Sequence, residues 1–295
     1  MRVLISGHLG FVGSETKRYV ERMSSDNQVI GYDIMEKNDI RDAQQFDEFV
    51  TQHKPDRILH LAAIARFADA DKDPKLAFET NVMGTQNVVL VAKKHKIPLV
   101  YSSTGSAAMP LDDYEPPFDE TIPARGNSPY GCTKAAGEYY VQEHNPHIIL
   151  RYSHLLGAEK KFHGLVGGFI SRIERGLAPR LYGGLQTNDF CYIKDIARAN
   201  YLALTADWSS WNQIYNIGTG TELSAEEAGK IVCDVFGYKG KIQREKGRTV
   251  DPSRFVFNCK KAENMLGFKY EFGFREALEA MKKEMQYAPN KEPRK

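Results

Sequence analysis

The chain has 295 residues, 42% hydrophobic and 26% charged, with 40 Lys and Arg set against 38 Asp and Glu for a net charge of +2. That composition excludes a disordered or fibrous protein, and the near-neutral balance gives no electrostatic reason to expect nucleic acid or a membrane as partner. Cys132, Cys191, Cys233 and Cys259 stand far apart with no C-x-x-C pair, so no disulfide framework or metal site is expected and a reducing, cytoplasmic compartment is. The first apolar run begins at Val3, leaving no room for a signal peptide, and no segment approaches the roughly 18 apolar residues of a membrane span.

The first half alternates short aliphatic runs with longer helical patterns, the signature of stacked βαβ units and a doubly wound parallel α/β sheet of Rossmann type. Strands are expected at 3–6, 28–33, 56–61, 99–102 and 147–152, and helices at 11–23, 44–53, 74–94 and 129–144. Asp73 before Pro74 reads as an N-cap ahead of a first-turn proline. After Gly157 the rhythm loosens, returning at 190–204 and 213–217, which implies a small, discontinuous second lobe. Ser224 and Glu227 form a capping-box pattern ahead of another helix. The expected division is 1–157 and 187–218 for the main sheet, 158–186 and 219–287 for the smaller lobe, and a frayed tail at 288–295.

The first strand runs into Gly7-His8-Leu9-Gly10-Phe11-Val12-Gly13, three glycines at a strand-to-helix turn. Glycines there permit a tight turn and bring a pyrophosphate close to backbone N–H groups at a helix N-terminus. Asp33 ends the second strand 20 residues after Gly13, where a carboxylate accepts the ribose hydroxyls of an adenosine and repels a 2′-phosphate. NAD is therefore read in preference to NADP. Asp39 and Ile40, just beyond, either close an adenine pocket or belong to a solvated loop.

Tyr130 and Lys134 lie one helical turn apart, on one face. A nearby ammonium favours the phenolate, and bringing a tyrosine from a pKa of about 10 to near 7 takes about 4 kcal/mol. The spacing alone is uninformative, since Tyr287 and Lys291 repeat it. What distinguishes Tyr130 is Ser102-Ser103-Thr104 at the end of the preceding strand, an edge where such sheets bind ligands.

With these motifs the sequence resembles the extended short-chain dehydrogenase/reductases, in particular the nucleotide-sugar epimerase/dehydratase family, from Arg2 to about Met281. Further matching segments are His60-Leu61-Ala62-Ala63, Asn81-Val82-Met83-Gly84-Thr85, Ser128-Pro129-Tyr130-Gly131, Arg151-Tyr152, Asp189-Phe190, Asp195-Ile196-Ala197, Tyr215-Asn216-Ile217-Gly218 and Leu266-Gly267-Phe268. The resemblance implies that Leu61, Ala62 and Ala63 line the middle of the cofactor and that Asn81 sits near the nicotinamide-side ribose. It implies that Lys134 holds that ribose and polarises Tyr130, and that Thr104 is the catalytic hydroxyl, with Ser103 a secondary candidate. The implied reaction is transient oxidation of a sugar nucleotide, most often at C4, giving epimerisation without net redox, in a homodimer built on the helices at 74–94 and 129–144.

Several positions depart from the family pattern. Dehydratases and decarboxylases of the family carry an acidic residue after the catalytic Thr, where this chain has Gly105 and Ser106, and the usual Val-Tyr-Gly is replaced by Ser106-Ala107-Ala108-Met109. An Asn that meets the substrate pyrophosphate is replaced by His154, either a phosphate donor or a hydrogen-bonded core residue. An Arg that binds the same phosphate is replaced by Asn188, losing a bidentate contact, so Arg248 or Arg172 stands as the substitute cation. The alternative for Arg172, Arg175 and Arg180 is a solvated helix face. At this level a dehydrogenase with net redox and a non-catalytic NAD-binding scaffold remain rival readings.

Overall fold

Strands with consecutive aliphatic residues, such as Val3-Leu4-Ile5 and Ile148-Ile149-Leu150, need cover on both faces, and here they receive it. The computed structural model describes residues 1–106, 109, 113–158, 164–246 and 253–287; the tail at 288–295 lies outside them. The central strands are β1 (Arg2–Ser6), β2 (Gln28–Tyr32), β3 (Arg57–His60), β4 (Leu99–Thr104) and β5 (His147–Tyr152), each starting at or within a residue of its expected position. Short β6 (His154–Leu156), β7 (Arg180–Tyr182), β8 (Thr187–Asn188) and β9 (Phe190–Tyr192) follow, then β10 (Gln213–Ile217), β11 (Leu223–Ser224) and β12 (Gln243–Glu245). Six of them form one all-parallel sheet in the order β10-β5-β4-β3-β1-β2. The winding reverses between β1 and β3, and in such sheets ligands bind beyond the strand ends at that reversal.

Successive residues of each strand feed opposite faces. Val3, Ile5, Ile148 and Leu150 point into one cluster, while Leu4 and Ile149 point into the other. On the second face lie α2 (Ala43–His53), α5 (Gly84–His95) and α6 (Pro129–Gln142); on the first lie α1 (Phe11–Met23) and α8 (Ile193–Leu204). Between β3 and α5 the chain forms α3 (Phe67–Lys72) and α4 (Pro74–Phe78), the latter capped by Asp73, whose carboxylate accepts from the Leu76 N–H. The single helix expected at 74–94 proves to be three pieces. Residues Glu79–Met83 form a widened π turn between α4 and α5, with Asn81 buried inside it.

The stretches expected to form the smaller lobe contain α7 (Gly164–Glu174), α9 (Ala225–Phe236), α10 (Lys260–Leu266) and α11 (Phe274–Tyr287). Ser224 and Glu227 form the expected capping box at the start of α9. No separate core divides the lobes: Ile170, Val232, Leu278 and Met281 belong to the same cluster as Val3 and Ile5. Met109, Phe118 and Ile122, within the stretch expected to belong to the main sheet, pack instead on Phe255 and Phe257 of the late segment. Among the described residues, no helix is long and apolar enough to cross a membrane.

Candidate active site

The glycine turn is enforced by close approach. Gly7 takes φ +76°, and a Cβ there would lie 2.8 Å from the Ala62 nitrogen; one on Gly13 would lie 2.1 Å from the Gly7 carbonyl oxygen. Gly10 is the N-cap of α1 and offers no side chain to satisfy the first-turn N–H groups, leaving them to an anion. Asp33 follows β2 and is buried, its carboxylate accepting from the Leu9 N–H at 3.0 Å and the Met35 N–H at 3.0 Å. The side chain is thereby fixed beside the glycine turn.

These groups line a cavity of about 670 Å³. Gly7, Gly10, Phe11, Val12 and Gly13 line it with Asp33, Asp39 and Ile40 after β2 and Leu61, Ala62 and Ala63 after β3; Leu155, Gly157 and Met281 complete the lining. An adenine dinucleotide fits this lining: bare backbone for a pyrophosphate, a carboxylate for ribose hydroxyls, and apolar walls. Asp39 does border the cavity, though its carboxylate is held by the Arg41 guanidinium, which keeps it below the usual carboxylate range.

Asn81 is not among the cavity-lining residues. It is 1% exposed, accepts from the Ile64 N–H at 2.7 Å, and donates to the Ile64 carbonyl at 3.1 Å and to Thr133 Oγ1 at 2.9 Å. Every polar atom of its amide is thus spent on fixing the loop after β3 to α6, and the π turn is what aims it there. A second link runs behind it. Thr85 Oγ1 donates to the Asn81 carbonyl, His60 Nε2 lies 3.0 Å from Thr85 Oγ1, and His60 Nδ1 lies 2.6 Å from Ser6 Oγ. Burial pushes the His60 imidazole down to about 3, so this link is neutral.

Ser128 caps α6 by accepting from the Gly131 N–H, with Pro129 in the first turn, and this start places Tyr130 and Lys134 facing the sheet. Both are buried. The Tyr130 hydroxyl is pushed up to about 12 by burial, opposed by its hydrogen bond with Thr104; the Lys134 amine is pushed down to about 7 by burial, opposed by the Glu138 carboxylate. β4 runs two residues further than expected, which carries Thr104 to the strand end beside Tyr130. Ile64, at the inner end of the cavity, packs on Tyr130 and so joins the two halves of the site.

Ser103, expected as a secondary catalytic hydroxyl, points away from this cluster. It is 3% exposed and donates to Glu138 Oε1 at 2.5 Å. Glu138 is gripped by Arg151 through Nε at 2.9 Å and Nη2 at 2.7 Å, while Arg151 Nη1 donates to the Ile122 carbonyl. Alternation along β4 explains the difference, because adjacent residues face opposite sides.

On the substrate side, His154 starts β6 and packs edge-on against Phe255 at 5.4 Å and near Phe190 at 5.9 Å. Burial pushes its ring down to about 4, and its Nδ1 has no hydrogen-bond partner among the described residues. Asn188 lies in β8, next to Asp189, whose buried carboxylate holds the 219–220 turn through Thr219 and Gly220. Arg248 lies outside the described residues. Arg172 donates to the Ala178 carbonyl and Arg180 to Gln243. A cation that sequence reasoning missed is Arg254, which pairs bidentately with Glu222 at 2.8 and 2.7 Å, while Glu222 also accepts from Thr187, next to Asn188. Phe67 was missed as well: it is 47% exposed with its ring 5.4 Å from that of Tyr130. A large apolar side chain left half exposed beside a reactive group was the available signal.

Gly105, directly after Thr104, is sealed. A Cβ there would lie 2.2 Å from Phe257 Cζ and 2.8 Å from Phe255 Cζ. No acidic side chain fits at that position without displacing both rings.

The family model of the NAD dependent epimerase/dehydratase family matches residues 3–218. A Methanocaldococcus jannaschii protein carrying the provisional name UDP-glucose 4-epimerase is 31% identical, over 94% of this chain and 95% of its own length. A dTDP-glucose 4,6-dehydratase of Haemophilus influenzae is 27% identical over 94% and 96% respectively. Among solved structures, a UDP-glucose 4-epimerase of Thermus thermophilus in complex with NAD aligns with a TM-score of 0.85 at 28% identity, covering 98% of this chain and 100% of that one. The chain belongs to the NAD-dependent epimerase/dehydratase family, with NAD as its cofactor.

Proposed function

We propose that the chain is a sugar-nucleotide 4-epimerase acting through a transient keto sugar. The observation that carries this over the family's dehydratase chemistry is Gly105, packed beneath Phe255 and Phe257, which leaves no place for an acid beside Thr104. With no carboxylate there to act in later proton transfers, the keto sugar has one productive exit, reduction back to an alcohol.

NAD, held by the glycine turn, Asp33 and the residues after β3, would supply reversible two-electron hydride chemistry and, when oxidised, a positive charge. Tyr130, as phenolate, removes the proton of the reacting hydroxyl and gives it back at the end. Thr104 donates to the same oxygen and orients it. Lys134 stabilises the phenolate electrostatically and holds the nicotinamide-side ribose. Asp33 accepts the adenosine ribose hydroxyls, with Gly7, Gly10 and Gly13 opening the backbone to the pyrophosphate. Asn81 acts from behind, by fixing the Ile64 loop.

Substrate diphosphate is held on the second lobe by Arg254, the cation beside the position where Asn188 replaces an arginine, with His154 contributing a donor nearby. Arg254 is tied to this region through Glu222, which also accepts from Thr187, the neighbour of Asn188.

We further propose a homodimer through the outer faces of α5 and α6. Val82 and Val89 turn inward, whereas Met83, Leu90 and Tyr139 are 49%, 56% and 61% exposed, an apolar strip larger than a solvated helix needs. Light scattering tests it, and a monomer at micromolar concentration refutes it. Four free thiols, two of them buried, suit a reducing compartment such as the cytosol.

The reaction is tested by incubating the protein and NAD⁺ with a panel of nucleotide sugars and separating the epimers. Interconversion of a gluco/galacto pair, abolished by Tyr130→Phe, is the expected result. Formation of a 4-keto-6-deoxy product, or stoichiometric NADH, overturns the proposal.

A further inference from the structure

Lys134 is a buried cation without a carboxylate of its own. It is 3% exposed, and among the described residues no acid lies within ion-pair distance of its Nζ. Glu138, one turn further along α6, is already engaged by Arg151 and Ser103. What lies beneath the ammonium is an aromatic face: Nζ stands 4.1 Å from the centroid of the Tyr101 ring.

Contacts on several sides hold that ring in place, among them a hydrogen bond of its hydroxyl with Thr85. Tyr101 is 1% exposed in β4, and its hydroxyl donates to the Lys134 carbonyl at 3.4 Å, so one residue contributes both the backbone acceptor and the charge. The hydroxyl occupies the space that Gly137 leaves empty: a Cβ there would lie 2.2 Å from it. On the other side the His60 ring stands 5.7 Å away, held between Ser6 and Thr85.

We propose that Tyr101 is a positioning residue for the reaction, its ring face the seat on which Lys134 remains cationic while buried beside Tyr130. The proposal rests on the catalytic assignment of Lys134 above. A desolvated ammonium over a tyrosine face gains substantially from the ring quadrupole. The other titratable groups around Lys134 are Tyr130 and Glu138 on α6 and neutral His60 on β3, with Arg151 on β5 reaching it only through Glu138. Burial drives the amine toward the neutral form and Glu138 opposes it; the ring works on the same side as Glu138.

The sign of the effect follows. Lys134 serves as an ammonium, so activity falls on the alkaline side as it loses its proton. Without the ring that loss moves to lower pH. Tyr101→Phe keeps the face and leaves the midpoint in place. Tyr101→Leu lowers it by about 1 to 1.5 pH units, a 10- to 30-fold change corresponding to about 1.4 to 2 kcal/mol.

The readout is an NMR titration of the Lys134 Nζ in the full-length protein, assigned by the signal missing from Lys134→Met, with the alkaline limb of kcat recorded in parallel. A third series keeps the protein falsifiable if Tyr101→Leu fails to fold: phenylalanines bearing one, two and three ring fluorines at position 101 weaken the face stepwise at nearly constant shape. The expected outcome is a midpoint that falls with each fluorine. A midpoint within 0.3 units, on the order of 0.4 kcal/mol, across the fluorine series and the leucine variant overturns the proposal. The two readings separate cleanly. A shifted titration in a protein that turns over no sugar nucleotide upholds the seat and refutes the reaction; unshifted titration in an active epimerase does the reverse.

Discussion

Replacing Glu138 by Leu should be among the most damaging single changes away from the reacting atoms. The substitution leaves the Arg151 guanidinium, 1% exposed, with the Ile122 carbonyl as its remaining partner, and leaves the Ser103 hydroxyl without an acceptor. Removing one member of a buried pair costs about 3 to 5 kcal/mol, because the surviving charge stays desolvated. Against a typical total of about 5 to 15 kcal/mol this is a large fraction, and it corresponds to a fall in melting temperature on the order of 10 °C. Arg151→Met should cost a similar amount, whereas the double variant Glu138→Leu/Arg151→Met should recover most of the loss, since apolar replacements of buried pairs are often neutral. Melting by circular dichroism and urea midpoints, arranged as a double-mutant cycle, measure the coupling. A single variant losing less than about 1 kcal/mol, or a double variant losing the sum of the singles, would refute the argument that this pair is desolvated and mutually dependent.

Three further outcomes follow from the geometry. Gly13→Ala places a Cβ 2.1 Å from the Gly7 carbonyl oxygen, so the glycine turn must open; NAD affinity, read by fluorescence titration, should fall at least 100-fold, about 2.7 kcal/mol. Acid should destabilise the fold through two histidines held neutral, His60 and His154. The folded pKa values of His60, about 3, and His154, about 4, lie below the unfolded value, so the unfolded state binds more protons between those values and about 6.5. Stability therefore falls as pH drops through that window, by about 1.4 kcal/mol per unit per histidine, and urea midpoints between pH 7 and 4 that stay level would contradict it. Phe67→Val, trimming a half-exposed ring that abuts Tyr130, should change the melting temperature by less than about 2 °C while raising the KM for the nucleotide sugar several-fold; an unchanged KM would place Phe67 outside the substrate's reach.

Much of the cofactor half was legible because its signals are local. A glycine that must take φ +76° and a carboxylate at a strand end announce themselves in the letters, as do Asp73 and Ser224 as helix caps. What escaped was decided by packing between distant segments. Helix α7 carries three glycines in eleven residues and would not form on propensity alone; Phe169 on it lies over Gly229 of α9, where a Cβ would come within 2.7 Å of the ring. The family resemblance puts Asn81 near the nicotinamide-side ribose, but the π turn that aims its amide at Ile64 and Thr133 has no signature in a helical pattern. Ser103 and Thr104 differ only by strand alternation, and the two extra residues of β4 settled which one meets Tyr130. Arg254 went unread because its pairing with Glu222 spans 32 residues. Helix α11, by contrast, does carry its periodicity in Ala277, Leu278, Met281 and Met285, a pattern the loosened rhythm around it obscured.

The central claim is that the C4 hydrogen leaves the sugar and comes back to it within one closed site. Following the nucleotide sugar that the panel identifies, deuterated at C4, through the reaction in ordinary water measures this directly. The account predicts that the deuterium is found at C4 of the epimeric product, with no solvent hydrogen at that carbon and no NADH accumulating. Exchange of the C4 label with solvent, or an epimer formed at full rate by Tyr130→Phe, would contradict it.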